Sequence, residues 1–150
     1  MNNVKRKFLF EIVDEILEAE DFRPVLYSML DNYKSFKALV SIIYNPEYEW
    51  ELDKNTFSIA PRSQRENGGF PTAWNDVVDA IKNKLIKNTN LSSRFPDFYA
   101  KACRACNKKD VEILNYLLKN RNIPGFKGAK KKQIVDALKE YFEDARGENT

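Results

Sequence analysis

The sequence predicts an all-α protein, a helical bundle of about six to seven helices. Three observations predict it. Apolar residues recur three and four positions apart in most of the chain outside residues 45–72. Residues suited to capping a helix, Asp21, Thr72 and Asp110, stand directly before three of these periodic segments. The helix-breaking residues Pro and Gly gather mainly in 45–72 and 122–128, so they separate helices rather than interrupt them.

The first helix is expected over about 7–20, with Phe8, Ile12, Ile16 and Leu17 on one face. Asp21 caps a second over roughly 23–31, where Pro24 fits the first turn because its missing N–H would be unbonded there. Residues 33–44 form a third, very apolar helix with Phe36, Leu39, Val40, Ile43 and Tyr44, expected at the centre of the bundle and ended by Pro46. Residues 45–72 then hold Pro46, Pro61, Gly68, Gly69 and Pro71, which excludes continuous helix. A long loop or a short β-hairpin is expected there, because 48–52 and 56–60 alternate apolar and polar residues. Thr72 caps a helix over about 73–87 built on Trp74, Val77, Val78, Ile81 and Leu85. Further helices follow over about 96–106, over 111–121 with Asp110 as cap, and over 131–144, the last burying Ile134, Val135, Leu138 and Tyr141 or Phe142.

At 150 residues and 43% apolar content the chain can fill one domain's core. Residues 1–109 are expected to form the helical bundle, and residues 110–144 a basic helix–loop–helix packed on it or continuous with it. Residues 145–150 are expected to be a disordered tail. No apolar run approaches the roughly 20 residues that span a bilayer. Acidic residues interrupt the apolar stretch that a signal peptide would need near the N-terminus. A soluble protein of the cytoplasm is expected, with no membrane contact.

Charge is strongly partitioned. Residues 1–81 carry 9 Lys/Arg against 14 Asp/Glu, a net of −5, whereas residues 82–139 carry 15 against 4, a net of +11. The last eleven residues return to −3. Nearly unopposed Lys and Arg over the middle-to-late segment favour a polyanionic partner over simple solvation of helix faces.

The chain contains no histidine, which removes Ser/His/Asp and Cys/His triads and most zinc sites. Cys103 and Cys106 have C-x-x-C spacing, but no second ligand pair accompanies them, and the pair falls inside an expected helix. They read as ordinary helix cysteines, with a redox or metal role as the alternative. Neither G-x-x-x-x-G-K-[ST] nor G-x-G-x-x-G occurs. The carboxylates of 11–21 and 47–53 read as solvated charges. No enzyme activity, cofactor, metal or small-molecule substrate is expected.

The stretch DVEILNYLLKNRNIPGFKGAKKKQIVDAL, residues 110–138, carries the functional argument. It reads as helix, Pro-Gly turn, basic loop, helix. Lys127, Lys130, Lys131 and Lys132 crowd the start of the second helix, where backbone N–H groups and the positive dipole end also favour an anion. Arg62 and Arg65 are possible additional phosphate contacts, or part of a plain surface connection. Phe126 and Tyr116 are candidates to stack on bases; for Phe126 the alternative is a hydrophobic plug between the helices.

Two blocks resemble the N-terminal DNA-binding domain of T-even-type bacteriophage DNA ligases. KSFKALVSIIYNPEYEWEL, residues 34–52, is similar to that domain's buried helix leading into an aromatic-containing extended segment. NKKDVEILNYLLKNR, residues 107–121, is similar to its Lys-Asp-Asp-Val-Glu-Val-Leu helix start. Order and approximate spacing agree over about residues 8–126. Small phage proteins share the first block's aliphatic-helix, Tyr/Phe-x-Pro and Trp pattern, which fits a phage origin. The resemblance implies duplex DNA binding through the backbone and minor groove. The nucleotidyl-attachment motif Lys-x-Asp-Gly is missing, so ligation is not implied. The later part departs from the ligases: GFKGAKKKQIVDALKEY is similar to the second half of a SAP-type helix–loop–helix, a family that binds DNA. The ligase resemblance carries over Lys108, Lys109, Lys119 and Arg121 as DNA contacts, and the SAP resemblance adds Lys127, Lys130, Lys131 and Lys132.

Two functions follow as expectations. One is a non-catalytic phage module that grips double-stranded DNA by its phosphates, in the cytoplasm of the infected cell. The other is a phage protein-interaction factor that docks on a replication, transcription or host-defence protein, with the acidic first half as a working surface.

Overall fold

The computed structural model describes residues 6–45, 71–86 and 95–148, with side chains described over 6–45, 71–83 and 97–143. All regular elements among these residues are helices, joined by turns and loops, with no strand among them. The helices are α1 (Leu9–Glu18), α2 (Phe22–Asn32), α3 (Lys34–Tyr44), α4 (Trp74–Ala80), α5 (Phe95–Cys103), α6 (Lys108–Asn120) and α7 (Ala129–Glu148). A π-helical segment, Ile81–Ile86, continues α4. The expected loop or hairpin, with Arg62 and Arg65, falls in 46–70, outside the described residues, as does the side chain of Leu85.

The helices exist because their apolar stripes meet in one cluster. Leu9, Ile12, Val13 and Ile16 of α1 pack with Leu26, Met29 and Leu30 of α2 and with Phe36, Leu39, Val40, Ile42 and Ile43 of α3. Trp74, Val77 and Val78 of α4, Tyr99 of α5, and Val111, Leu114, Leu117 and Leu118 of α6 join the same cluster. So do Ile123 and Phe126 of the α6–α7 loop and Ile134, Ala137 and Leu138 of α7. The basic helix–loop–helix therefore shares its core with the bundle. Each fully buried Leu, Ile or Phe stabilises this arrangement by about 1.5–3 kcal/mol.

Polar contacts fix the helices relative to one another. The Asp21 side chain caps α2 by accepting the Arg23 N–H, as its position predicts. The Trp74 indole donates to the Lys7 carbonyl at 3.0 Å, tying the start of α4 to the segment before α1. Tyr99 donates to Asn115, joining α5 to α6. On α7, the Ala137 carbonyl accepts the Tyr27 hydroxyl at 3.0 Å, and Tyr141 donates to Asp31, so α7 lies along α2.

Several sequence expectations are corrected. Asp110 is not the cap of α6. Asn107 is, with extended backbone (φ −64°, ψ 146°) and a side chain accepting the Lys109 N–H at 2.9 Å. Asp110 stands three residues further on and points inward, fully buried. Thr72 does not cap α4 through its side chain: the Asn75 N–H, which a capping hydroxyl would accept, bonds the Thr72 backbone carbonyl instead, at 3.0 Å. Cys106 lies beyond the end of α5, in the turn before α6, and only Cys103 is helical. Leu17 and Val135 are about 40% exposed, and Ala137 takes the inward position expected of Val135. Helix α7 begins at Ala129 and extends to Glu148, beyond the expected 131–144.

Candidate nucleic-acid interface

The basic loop between α6 and α7 is held from beneath by a buried polar network. Helix α6 ends at Arg121, whose left-handed conformation (φ 54°, ψ 44°) turns the chain and lets its N–H bond the Leu117 carbonyl at 2.8 Å. The Arg121 guanidinium points back to α3, donating from Nε to the Ile43 carbonyl (3.1 Å) and from Nη2 to the Asn45 carbonyl (2.7 Å). It thereby binds carbonyls at the negative end of α3. Asn122 is buried; its amide donates to the Phe126 carbonyl and its oxygen accepts the Tyr44 hydroxyl at 2.7 Å. The same Tyr44 oxygen accepts the Ile123 N–H at 2.9 Å. Burial is the main cause that pushes the Tyr44 phenol well above its ordinary range, so it stays protonated and keeps donating.

The loop itself is a tight turn. Phe126 N–H bonds the Ile123 carbonyl at 3.2 Å across Pro124 and Gly125, and Gly125 has φ +96°. Proline followed by a positive-φ glycine is the type II pattern. Phe126 turns inward, 3% exposed, with its ring edge-on to Phe22 at 5.3 Å. It is the plug between the helices, one of its two readings from sequence.

Above this anchored floor the cations are exposed. Lys119 lies in the last turn of α6, Lys127 in the loop, and Lys130, Lys131 and Lys132 in the first turn of α7, all exposed. None takes part in an ion pair among the described residues. The first turn of α7 holds no acidic residue, so nothing there neutralises the positive end of its dipole. Two of the N–H groups expected to face an anion are already used: Lys130 N–H bonds the Lys127 carbonyl (3.2 Å) and Lys131 N–H the Gly128 carbonyl (3.1 Å). The lysine side chains, not those amides, are the available donors. Lys139, exposed seven residues after Lys132, continues this side of α7 with about 20° of rotation. Heptad spacing is the sequence signal for it, and it was not singled out.

The predicted contacts are not brought into one patch. Lys108 and Lys109 sit at the other end of α6, about 16 Å along the helix from Lys119. The Lys109 ammonium lies 5.1 Å from the centre of the Phe10 ring of α1. Arg121 faces α3 rather than solvent. Tyr116 is half-buried on α6.

Burial raises the Cys103 and Cys106 thiols, Cys106 to about 12, so neither supplies thiolate at neutral pH. Among the described residues no group of His, Cys, Asp or Glu is arranged to hold a metal, and no helix is long and apolar enough to cross a membrane. No family model, curated protein or solved structure matches the chain.

Proposed function

We propose that the chain is a non-catalytic phage DNA-binding module that grips duplex DNA by its phosphates, using the basic end of the α6–α7 helix pair. One observation carries this reading. Five exposed lysines without ion pairs among the described residues flank or occupy a loop pinned by the Tyr44–Asn122–Phe126 network: Lys119 at the end of α6, Lys127 in the loop, and Lys130, Lys131 and Lys132 at the start of α7. Lysines present compact point charges suited to phosphates, whereas base readout needs Arg, Asn or Gln held in fixed geometry. Arg121 and Asn122, two residues of those types beside the loop, are instead committed to the protein's own carbonyls and to Tyr44. Lys108 and Lys109, at the far end of α6, are suited to a second phosphate contact along the same duplex. The likeness of 34–52 and 107–121 to phage ligase DNA-binding domains, and of the loop to SAP modules, points the same way.

A second reading, docking on a basic protein, draws on the exposed Asp14 and Glu18 of α1. One experiment separates the two. Binding of a fluorescent 30-base-pair duplex and of its single strands is measured for the native protein and for the Lys130→Glu, Lys131→Glu, Lys132→Glu triple variant. The DNA reading expects micromolar or tighter duplex binding that the triple variant loses. Absence of duplex binding at 50 mM salt would overturn it and leave the protein-docking reading.

A further inference from the structure

Most of the chain's basic excess lies before the loop, not on it. Residues 110–139 carry 7 Lys/Arg against 3 Asp/Glu, a net of +4, whereas residues 82–109 carry 8 against 1, a net of +7. The larger share of the positive charge therefore falls in the stretch that leads from the end of α4 through α5 into α6.

Within that stretch α5 exposes an aromatic ring among cations. Tyr99 and Cys103 turn inward and are fully buried, and the Tyr99 hydroxyl donates to Asn115 of α6, which fixes how α5 is rolled. Phe98 is 40% exposed, the one aromatic among the large apolar side chains exposed in the described residues. Lys101 follows it by three residues, so the two share a face of the helix. Arg104 follows by three more, and its N–H bonds the Lys101 carbonyl at 3.3 Å, which continues the helical turn along the same side. Both cations are exposed, and neither takes part in an ion pair among the described residues. Asp97, the single carboxylate of α5, stands in the first turn, where the positive end of the helix favours it.

A lone exposed apolar side chain needs no explanation. A ring flanked by exposed cations has a specific use: a base stacks on the ring while adjoining phosphates meet the charges. The basic loop lacks this combination, because Phe126 is buried and Tyr116 half-buried. The loop thus suits a duplex, whose bases are already stacked, and α5 suits a strand whose bases are free.

We propose that the Phe98, Lys101 and Arg104 face of α5 is a second nucleic-acid site, one that takes single-stranded DNA. A base stacks on Phe98, and the phosphates beside it lie against Lys101 and Arg104. In taking DNA as the polymer the assignment rests on the reading above; in its residues it does not involve the loop. The Tyr99–Asn115 bond holds α5 alongside α6, and Lys119 lies one turn beyond Asn115, so a duplex with a single-stranded extension is suited to reach both sites.

A fluorescent oligothymidine of about 15 nucleotides is the probe, titrated at 50 mM salt into the full chain, with an abasic strand and an oligouridine of the same length for comparison. The expected result is a Kd below about 100 μM for oligothymidine and at least about fivefold weaker binding of the abasic strand. Phe98→Leu keeps the apolar bulk but removes the ring, and is expected to weaken oligothymidine binding at least about fivefold while leaving binding of the 30-base-pair duplex unchanged. Lys101→Glu with Arg104→Glu is expected to weaken it further, and helical circular dichroism checks that each variant folds. The Lys130→Glu, Lys131→Glu, Lys132→Glu variant is expected to bind oligothymidine as the native protein does. Full affinity in Phe98→Leu, equal affinity for the abasic strand, a tenfold preference for oligouridine, or loss of binding in the triple variant would each overturn the assignment. Failure of duplex binding with oligothymidine binding intact would instead strike the loop reading and leave this site standing.

Discussion

The Asp110 carboxylate of α6 accepts the Phe10 N–H of α1 at 2.8 Å, although the two residues are a hundred positions apart in sequence. Phe10 is the second residue of α1, so its amide is one of those the helix cannot bond itself. Glu11 of the same turn reaches back to the Phe8 N–H at 3.0 Å. One helix thus completes the N-terminus of another, and the second Asp110 oxygen is buried without a partner.

Burial of Asp110 makes stability depend on pH in an unusual direction. Burial pushes the Asp110 carboxyl up to about 6, outweighing the hydrogen bonds from Phe10 and Leu9 that favour its ionised form. The native state then holds a proton that the unfolded state has released, so stability is full below about pH 4, falls as pH rises to about 6, and stays lower above. The size of the effect is on the order of 3 kcal/mol. Asp110→Asn keeps an acceptor and removes the titration. Urea denaturation from pH 4 to 7.5 is expected to show that decline in the native protein and a clearly flatter profile in Asp110→Asn. Superimposable pH profiles would assign the titration elsewhere.

Tyr44→Phe tests the floor of the basic loop. It removes the hydroxyl that donates to Asn122 and accepts from Ile123, leaving two buried polar groups unpaired. A loss of about 1–3 kcal/mol is expected. Amide exchange should speed up first at Ile123 and Phe126, while α1 amides keep their protection. Uniform loss of protection would mean that the network serves the whole bundle rather than the loop.

Gly125→Ala meets two obstacles. Its φ of +96° strains any L side chain, and an added Cβ would lie 2.6 Å from Leu17 Cδ2. Because Leu17 is half-exposed and flexible, its tip moves aside, and the backbone strain remains. Destabilisation of about 1 kcal/mol or more is expected. In a double-mutant cycle Leu17→Ala should recover only part of that loss; full recovery would show that crowding, not φ, is the cost.

How much of this was legible in sequence differs from residue to residue. Asp21 was, because a cap acts on the helix directly after it and needs no tertiary partner. Asp110 was misplaced because aspartate is favoured both before a helix and in its first turn, and Asn107 three residues earlier fits the cap. The exposed lysines of the α7 start were legible from charge alone. Arg121 was legible only as a charge: its left-handed backbone and its carbonyl partners at positions 43 and 45 are products of folding. Tyr44 and Asn122 left no local signal, since the hydroxyl and the amide meet across 78 residues.

Arg121→Ala separates a staple from a phosphate contact. Loss of the Ile43 and Asn45 bonds should destabilise the fold by about 1–3 kcal/mol. Well below the melting temperature, the dependence of duplex binding on salt should be unchanged. A slope that falls by about one would instead assign Arg121 to a phosphate.

The most direct test of the basic loop as a DNA grip is the slope of log K against log salt for a 30-base-pair duplex, measured from 50 to 300 mM. Five lysine–phosphate contacts give a slope of about −4 to −5, and reversing Lys130, Lys131 and Lys132 to Glu is expected to abolish measurable binding. A slope near zero, or equal binding by the triple variant, would contradict the account.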